Sequence, residues 1–291
     1  MNGCCVEDPI MGAMIDAIYK RSSVRNYADR PVEKEKQDEI RRFLKTKTQG
    51  PFGNRVRFEL VNLAEAGDQE VKKLGTYGFI KGASLYIVPA IHNHPKAVID
   101  LGYCFETIIL HCTDMGLGTC WLGGTFTRAN FAQQVNAQED EICPAISPVG
   151  YAHEKKTLRE RALRSVAKSD RRKPWEDLFF KVDLNTSLNR EEAGAYDIPL
   201  ECVRLGPSAT NNQPWRIVRN KTDDTFHLFL KRTRGYDKMI RSVDLQLIDM
   251  GIAMCHFELS ARETGLQGGW KELDVSIDAG DAAYIASWEG G

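Results

Sequence analysis

The chain has 291 residues, and its 39 basic and 40 acidic side chains give a formal net charge of −1 at pH 7. The basic residues are dispersed and not interleaved with aromatic residues, so we expect no nucleic-acid partner, and the densest basic stretch, 154–173, fits a solvated helix. No apolar run reaches the roughly 18 to 20 residues of a membrane span, and the N-terminus lacks a signal-peptide layout. We therefore expect a cytoplasmic protein with reduced cysteines and no membrane contact.

The predicted elements mix helices and strands without regular alternation. In the first part, apolar periodicity predicts helices at 9–20, 33–46, 98–115 and 127–136, with strands near 55–63 and 84–90. The second part repeats this more briefly, with strands near 215–219 and 225–231, a helix over 243–264, and strands near 272–277 and 282–288. This order favours an α+β layered fold.

A basic motif follows the first predicted helix. Its sequence is Arg21-Ser22-Ser23-Val24-Arg25, in which two guanidiniums flank two hydroxyls. A guanidinium suits phosphate oxygens or the carbonyl edge of a heterocycle, and hydroxyls add short donors. The motif therefore fits an anionic, ring-bearing ligand. Taken alone, basic residues at this position could equally complement the dipole of the preceding helix.

A polar loop precedes the strand at 215–219. Residues 207–215 read PSATNNQPW, which places short hydrogen-bonding side chains between two prolines that restrict the backbone. Seen alone, this stretch could be an ordinary solvated turn. Two further segments accompany the two motifs: a glycine-rich stretch at 116–124 and the basic stretch 171–174, which ends in a proline.

Together these segments resemble the nitroreductase family of FMN-dependent oxidoreductases. Members of that family carry an Arg-x-Ser-x-Arg/Lys motif and a Pro-Ser-x-x-Asn-x-Gln-Pro-Trp loop, which match 21–25 and 207–215. The glycine-rich segment 116–124 is similar to the family segment beside the reactive part of the flavin ring. The basic stretch 171–174 is similar to a late family element that reaches the phosphate.

In the family the Pro-Ser-x-x-Asn loop follows the arginine motif much more closely along the chain than the polar loop follows the basic motif here. An internal repeat explains this difference. The residues Ile99, Asp100 and Gly102 recur as Ile248, Asp249 and Gly251 at an offset of 149 residues, and Gly116, Leu117 and Trp121 recur as Gly265, Leu266 and Trp270. Such a register indicates two related units, and we predict halves at 1–165 and 166–291. In the first half, the loop at 49–54 has lost the serines of the polar loop. In the second half, the stretch 176–189 has lost both arginines.

The resemblance implies a tandem-half, single-chain branch of the nitroreductase family. Other members are homodimers whose two flavins are each held by one subunit's arginine motif and the other subunit's Pro-Ser-x-x-Asn loop. A fused chain with complementary losses implies an intramolecular pseudo-dimer, acting as a monomer, with one FMN site between the halves. The long helices at 98–115 and 243–264 should pack together at the centre of this pseudo-dimer.

The resemblance also implies which residues bind FMN. They are Arg21, Ser22, Ser23, Arg25, Leu122, Gly123, Gly124, Arg172, Pro207, Ser208 and Asn211. We expect Arg21, Ser22 and Arg172 at the phosphate, and Arg25 at the pyrimidine edge, where a cation would stabilise negative charge developing on the ring. Gly123 and Gly124 should offer backbone donors near the hydride-accepting nitrogen, since a side chain would block that approach.

No protein nucleophile is required, because the flavin carries the chemistry. The expected cycle is ping-pong, with NADH or NADPH as donor and a nitroaromatic, a quinone or a similar small molecule as acceptor. The alternatives are a non-catalytic flavin-binding protein and another flavin reaction on this fold, such as reductive dehalogenation. His92 and His94 could suggest a metal pair, but a loop without metal is favoured because no third ligand is recognisable. We assign no role to Cys4 and Cys5.

Overall fold

The computed structural model describes residues 14–63, 76, 78–153, 171–233 and 243–291. Within these ranges the chain forms two five-stranded sheets, with two long helices between them. This is the expected α+β layered fold, in which two related halves form an intramolecular pseudo-dimer. The predicted boundary between residues 165 and 166 lies outside the described residues.

Within the described ranges, the first half forms four helices and one sheet. The helices are α1 (Met14–Lys20), α2 (Lys34–Leu44), α3 (Pro95–Asp114) and α4 (Arg128–Gln134). The strands are β1 (Arg57–Asn62), β2 (Leu85–His92), β3 (Gly118–Thr119), β4 (Glu141–Ile142) and β5 (Ser147–Gly150). The antiparallel sheet has the order β1-β2-β5-β3, and β4 pairs with the end of β2. Seven of the eight residues of β2 are buried, as expected for a central strand.

The second half is built similarly. Its helices are α5 (Arg190–Ala193), α6 (Asp197–Leu205) and α7 (Leu245–Glu263). Its strands are β6 (Phe179–Lys181), β7 (Trp215–Arg219), β8 (Thr225–Leu230), β9 (Gly268–Lys271) and β10 (Ala283–Gly290). The sheet has the order β6-β7-β8-β10-β9, in which β6 and β7 are parallel and the other pairs are antiparallel.

Helices α3 and α7 cross at two glycines that are 149 residues apart. A β-carbon added to Gly102 would lie 2.2 Å from the carbonyl oxygen of Ile248, and one added to Gly251 would lie 2.0 Å from that of Ile99. The two backbones are therefore in direct contact, which only glycine permits. Each glycine meets the equivalent part of the other helix, so the contact has the reciprocity of a twofold interface. The expected pairing of the two central helices is confirmed.

Most predicted elements match the structure to within a few residues, but the strand at 272–277 was wrong. The strand in this region is β9 (Gly268–Lys271), which pairs Trp270 with Trp288 of β10. These two indoles pack against each other and against Phe257, and this packing fixes a register earlier in the chain. Val275 and Ile277 do pack on the sheet, but without strand pairing. No helix within the described ranges is both long and apolar enough to cross a membrane.

Candidate functional site

A cleft of about 760 Å³ lies between the two halves. This volume is within the usual range for small-molecule sites, about 300–1,000 Å³. All eleven residues expected from the sequence line this cleft: Arg21, Ser22, Ser23, Arg25, Leu122, Gly123, Gly124, Arg172, Pro207, Ser208 and Asn211. Its apolar wall includes Leu245, Ile248 and Ile252, which come from α7 of the second half. Arg21 and Ile252, which are 231 positions apart in sequence (252 − 21), thus line one cavity.

The basic motif is held in place through its backbone. After α1 ends at Lys20, the chain runs beside β3, where the amide of Val24 donates to the carbonyl of Thr119 at 2.8 Å. The carbonyl of Arg25 accepts from the amide of Lys81 at 2.9 Å. Gly118 leaves room for Val24, since a β-carbon added to Gly118 would lie 2.6 Å from a methyl group of the Val24 side chain. These contacts fix the backbone while the arginine and serine side chains reach the cleft.

The two arginines of this motif have buried nitrogens without a hydrogen-bond partner in the described part of the chain. These atoms are Nε of Arg21 and Nη1 of Arg25. Only 6% of the Arg21 side chain is exposed. A buried cationic donor without an acceptor is costly, and an anionic ligand would supply the missing acceptors through charge-assisted hydrogen bonds. The donor set of the cleft therefore fits a phosphate-bearing ligand.

The polar loop follows α6, which ends at Leu205, and leads into β7. Gln213 is fully buried and supports it, as expected: its amide donates to Ser208 Oγ at 2.9 Å, and its Nε2 donates to the carbonyl of Arg204 at 2.8 Å. The backbone has positive φ at Thr210 (51°) and Asn211 (57°), in the left-handed region that is uncommon for residues other than glycine. Such conformations persist only where surrounding contacts hold them.

The basic stretch 171–174 is bound to this loop. Arg172 donates from Nη1 to Asn211 Oδ1 at 2.7 Å and from Nη2 to the carbonyl of Leu205 at 3.0 Å. Asn211 Nδ2 donates in turn to the carbonyl of Arg171 at 2.6 Å. Arg172 thus lines the cleft and also connects the end of α6 to the loop.

The glycine-rich segment approaches the opposite half closely. Leu122 exchanges backbone hydrogen bonds with Ile146, both at 2.9 Å, which fixes the chain beside the cleft. A β-carbon on Gly123 would lie 2.6 Å from the Leu245 side chain of α7, and Arg128 donates to the carbonyl of Gly123. A side chain at 123 would therefore require Leu245 to move at this edge of the cleft.

Asp249 lines the cleft and was not among the residues expected there. Its Oδ1 accepts from the amide of Ala209 at 2.9 Å, while Oδ2 is buried without a hydrogen-bond partner among the described residues. Burial raises its pKa well above the usual range, although the Ala209 amide acts in the opposite direction. The equivalent Asp100 accepts three hydrogen bonds, two from Asn54 and one from Phe52. The repeat at an offset of 149 residues pointed to Asp249, but its position beside the cleft requires the fold.

A buried polar cluster behind the cleft was also missed. Glu106 of α3 accepts from Trp121 Nε1 at 2.6 Å and lies 2.9 Å from His256 Nε2, and its Oε1 is 3.9 Å from Nε of Arg21. Burial alone would raise the pKa of Glu106, but the hydrogen bond with His256 and the nearby positive charges outweigh it, so the net shift is downward. Arg21 and Trp121 line the cleft, whereas Glu106 and His256 support them from behind.

Of the two histidines considered as a metal pair, His92 ends β2 and His94 is the N-cap residue of α3, which begins at Pro95. His92 Nδ1 is 2.9 Å from Asp140 Oδ2 at an exposed position. The described ranges contain no group of three or more side chains arranged to hold a metal. Cys4 and Cys5 lie outside the described residues.

Comparison with known proteins gives one family. A family model described as "Putative TM nitroreductase" matches residues 13–261. The structure of a "putative nitroreductase" from Thermotoga maritima is similar, with a TM-score of 0.59 and 19% identity, covering 99% of this chain and 97% of that one. An FMN-dependent nitroreductase from Clostridium difficile R20291 has a TM-score of 0.39 and 22% identity, covering 49% of this chain and 90% of that one. A search of curated proteins found no match.

Proposed function

The chain belongs to the nitroreductase family whose model it matches, and on this premise we propose that it is an FMN-dependent oxidoreductase with one flavin site between its halves. One observation carries the proposal: a single interhalf cleft combines the basic motif, the glycine-rich segment and the polar loop. The donors at its basic end include two buried arginine nitrogens without a hydrogen-bond partner in the described ranges. FMN, when bound, would accept and release the hydride.

At the phosphate end we assign Arg21 and Ser22 as direct ligands, and Ser23 to the ribityl or phosphate region. The guanidinium offers a planar set of donors to phosphate oxygens, and the serine hydroxyls add donors at small entropic cost. Arg172 would assist through its position between the cleft and the loop. Since its guanidinium is hydrogen-bonded to Asn211, it would also hold the loop closed over the ligand.

At the ring end we assign Arg25 to the pyrimidine edge, and Leu122, Gly123 and Gly124 to the edge near the hydride-accepting nitrogen. A buried cation beside the ring would stabilise negative charge there, because a preorganised donor in a partly dry site needs no reorganisation. Pro207, Ser208 and Asn211 would close the other side. The aliphatic residues Ile248 and Ile252 would exclude water from the cavity.

In the proposed cycle, bound FMN would supply hydride transfer in two half-reactions. NADH or NADPH would provide the hydride and leave the cleft, and a flat electron-poor acceptor, such as a nitroaromatic or a quinone, would then bind and be reduced. In this proposal the halves, 1–165 and 166–291, work as one monomer. The chain's own groups bind, orient and exclude water, and no side chain has to form a covalent bond to the substrate.

The test is a reduction experiment on the purified full-length chain. The chromophore is first extracted and identified as FMN from its spectrum. We expect NADH or NADPH to remove the visible flavin absorbance under anaerobic conditions, and an added quinone or nitroaromatic to restore it. Absorbance that persists with both nicotinamides would instead support a flavin-binding protein without turnover. A chain that neither carries nor takes up FMN would contradict the proposal altogether.

A further inference from the structure

The two sides of the pseudo-dimer differ at one buried pair between α3 and α7. At an offset of 149 residues, Glu106 corresponds to Cys255 and Thr107 corresponds to His256. In a twofold interface, a contact between two residues should recur between their counterparts. The contact between Glu106 and His256 should therefore recur between Cys255 and Thr107. It does: Glu106 pairs with His256 at 2.9 Å, and Thr107 pairs with Cys255 at 3.3 Å. Of these two pairs, only the one beside Arg21 consists of a carboxyl and an imidazole.

The hydrogen bonds of His256 fix the net charge of the Glu106–His256 pair. Nδ1 lies 2.7 Å from the carbonyl oxygen of Cys202, which can only accept, so this nitrogen carries a hydrogen. Nε2 lies 2.9 Å from Glu106 Oε1, and a second hydrogen must lie between them. Whether the imidazole or the carboxyl holds that hydrogen, the charges of the two side chains sum to zero. The positive charge of Arg21 is therefore not cancelled.

Arg21 itself forms no hydrogen bond with Glu106, whose two oxygens each have another donor. His256 occupies Oε1 of the carboxylate and Trp121 occupies Oε2. Arg21 Nε is 3.9 Å from Oε1, which is too far for a hydrogen bond. Arg21 is thus close enough to the carboxylate to be oriented by it, while its buried Nε stays unpaired within the described residues.

We propose that His256 is a positioning residue, which occupies and neutralises Glu106 so that the Arg21 guanidinium remains available to the phosphate of the ligand. This inference rests on the proposed FMN site and assigns a role to a side chain that does not touch the cofactor. It also explains why the other side of the pseudo-dimer has a neutral Thr107–Cys255 pair. On that side, the stretch 176–189, which corresponds to the basic motif, has lost both arginines, so no guanidinium has to be kept available there.

The experiment measures dissociation constants for FMN and for riboflavin, which lacks the phosphate, on the full chain freed of flavin. His256→Asn retains a donor for the Cys202 carbonyl but leaves Glu106 as an unneutralised acceptor beside Arg21. We expect FMN affinity to fall at least about tenfold, as for other truncated buried charge pairs, with riboflavin affinity little changed. Adding Glu106→Gln to His256→Asn removes the competing carboxylate and should restore most of the preference for FMN.

Thr107→Val is the matched control, because it removes a buried polar contact at the equivalent position on the other side. It should leave both affinities near those of the wild type. An unchanged preference for FMN in His256→Asn would overturn the inference, and so would a double variant as impaired as the single one. If His256→Asn does not fold, the double variant and Glu106→Gln are measured in its place. Both should retain the preference for FMN over riboflavin, and its loss in either variant would overturn the inference. A wild-type chain that binds neither flavin would instead refute the proposed function.

Discussion

Gly251→Ala tests whether the halves depend on direct backbone contact between α3 and α7. The new β-carbon would lie 2.0 Å from the carbonyl oxygen of Ile99, 2.6 Å from the amide nitrogen of Tyr103 and 2.9 Å from Cα of Gly102. These are backbone atoms, so no rotamer change can relieve the overlap. To reach even 3.0 Å from the oxygen, the helices must separate locally by about 1 Å.

Two opposing contributions determine how much Gly251→Ala lowers the free energy of unfolding. Overpacking a well-packed interior costs about 1–3 kcal/mol, and the upper end applies here because rigid backbone opposes rigid backbone. Replacing glycine by alanine within a helix returns up to about 1 kcal/mol. The net destabilisation is therefore about 2 kcal/mol. Ile248 and Ile252, on either side of this crossing, line the cleft, so FMN binding should weaken as well.

The assay is urea unfolding of the full chain, followed by a flavin titration of the folded variant. A lower midpoint with an unchanged slope would show lost stability rather than an altered unfolded state. Gly269→Ala is the control, since an added β-carbon there meets nothing within 4 Å and the residue has an ordinary φ. A Gly251→Ala chain as stable as the wild type would refute the close crossing.

Three further predictions concern the site. Flavin content should be near one per chain, and Asn185→Ala or Thr186→Ala in the other half should leave it unchanged; two flavins per chain by absorbance and protein assay would contradict this. Arg25→Ala should remove most FMN binding, since it deletes a cation whose Nη1 is buried at the cleft, and equal affinity in a fluorescence titration would refute its assignment. Asp249→Asn should gain stability relative to the wild type as pH rises above about 4. Burial raises the pKa of Asp249, so the protonated carboxyl favours the folded chain below the usual value of 3.8 and this contribution is lost as pH rises through the folded-state value. A difference in unfolding midpoint that is constant with pH would contradict that reasoning.

The sequence indicated the cleft because its lining comes from short polar motifs in loops. Serine, arginine and asparagine between apolar elements stand out locally, and the 149-residue repeat joined the early motif to the late one. The repeat also showed that α3 and α7 are equivalent, since both carry the same pattern around Gly102 and Gly251, and the family resemblance implied that they pack together. The roles of the eleven residues toward a flavin stay predictions.

The features that the sequence did not reveal depend on three-dimensional contacts. Glu106 and His256 lie in long apolar helices, where a single polar residue gives no sign of its partner 150 positions away. Asp249 became a cleft residue only once α7 was placed under the polar loop. The strand at 272–277 was wrong because the pairing of Trp270 with Trp288, a tertiary contact, selected an earlier register than the local alternation suggested.

Because α3 and α7 are parts of one polypeptide, dilution cannot pull the two walls of the cleft apart. If the two halves were separate chains, the fraction of them in the dimer would depend on protein concentration. At low concentration the chains would dissociate, and a cleft formed by both chains would no longer exist. A covalent connection replaces that dependence with a fixed effective concentration. The fused chain should therefore keep both walls of the cleft together in very dilute solution, where an unlinked pair of chains with an interface of equal strength would dissociate.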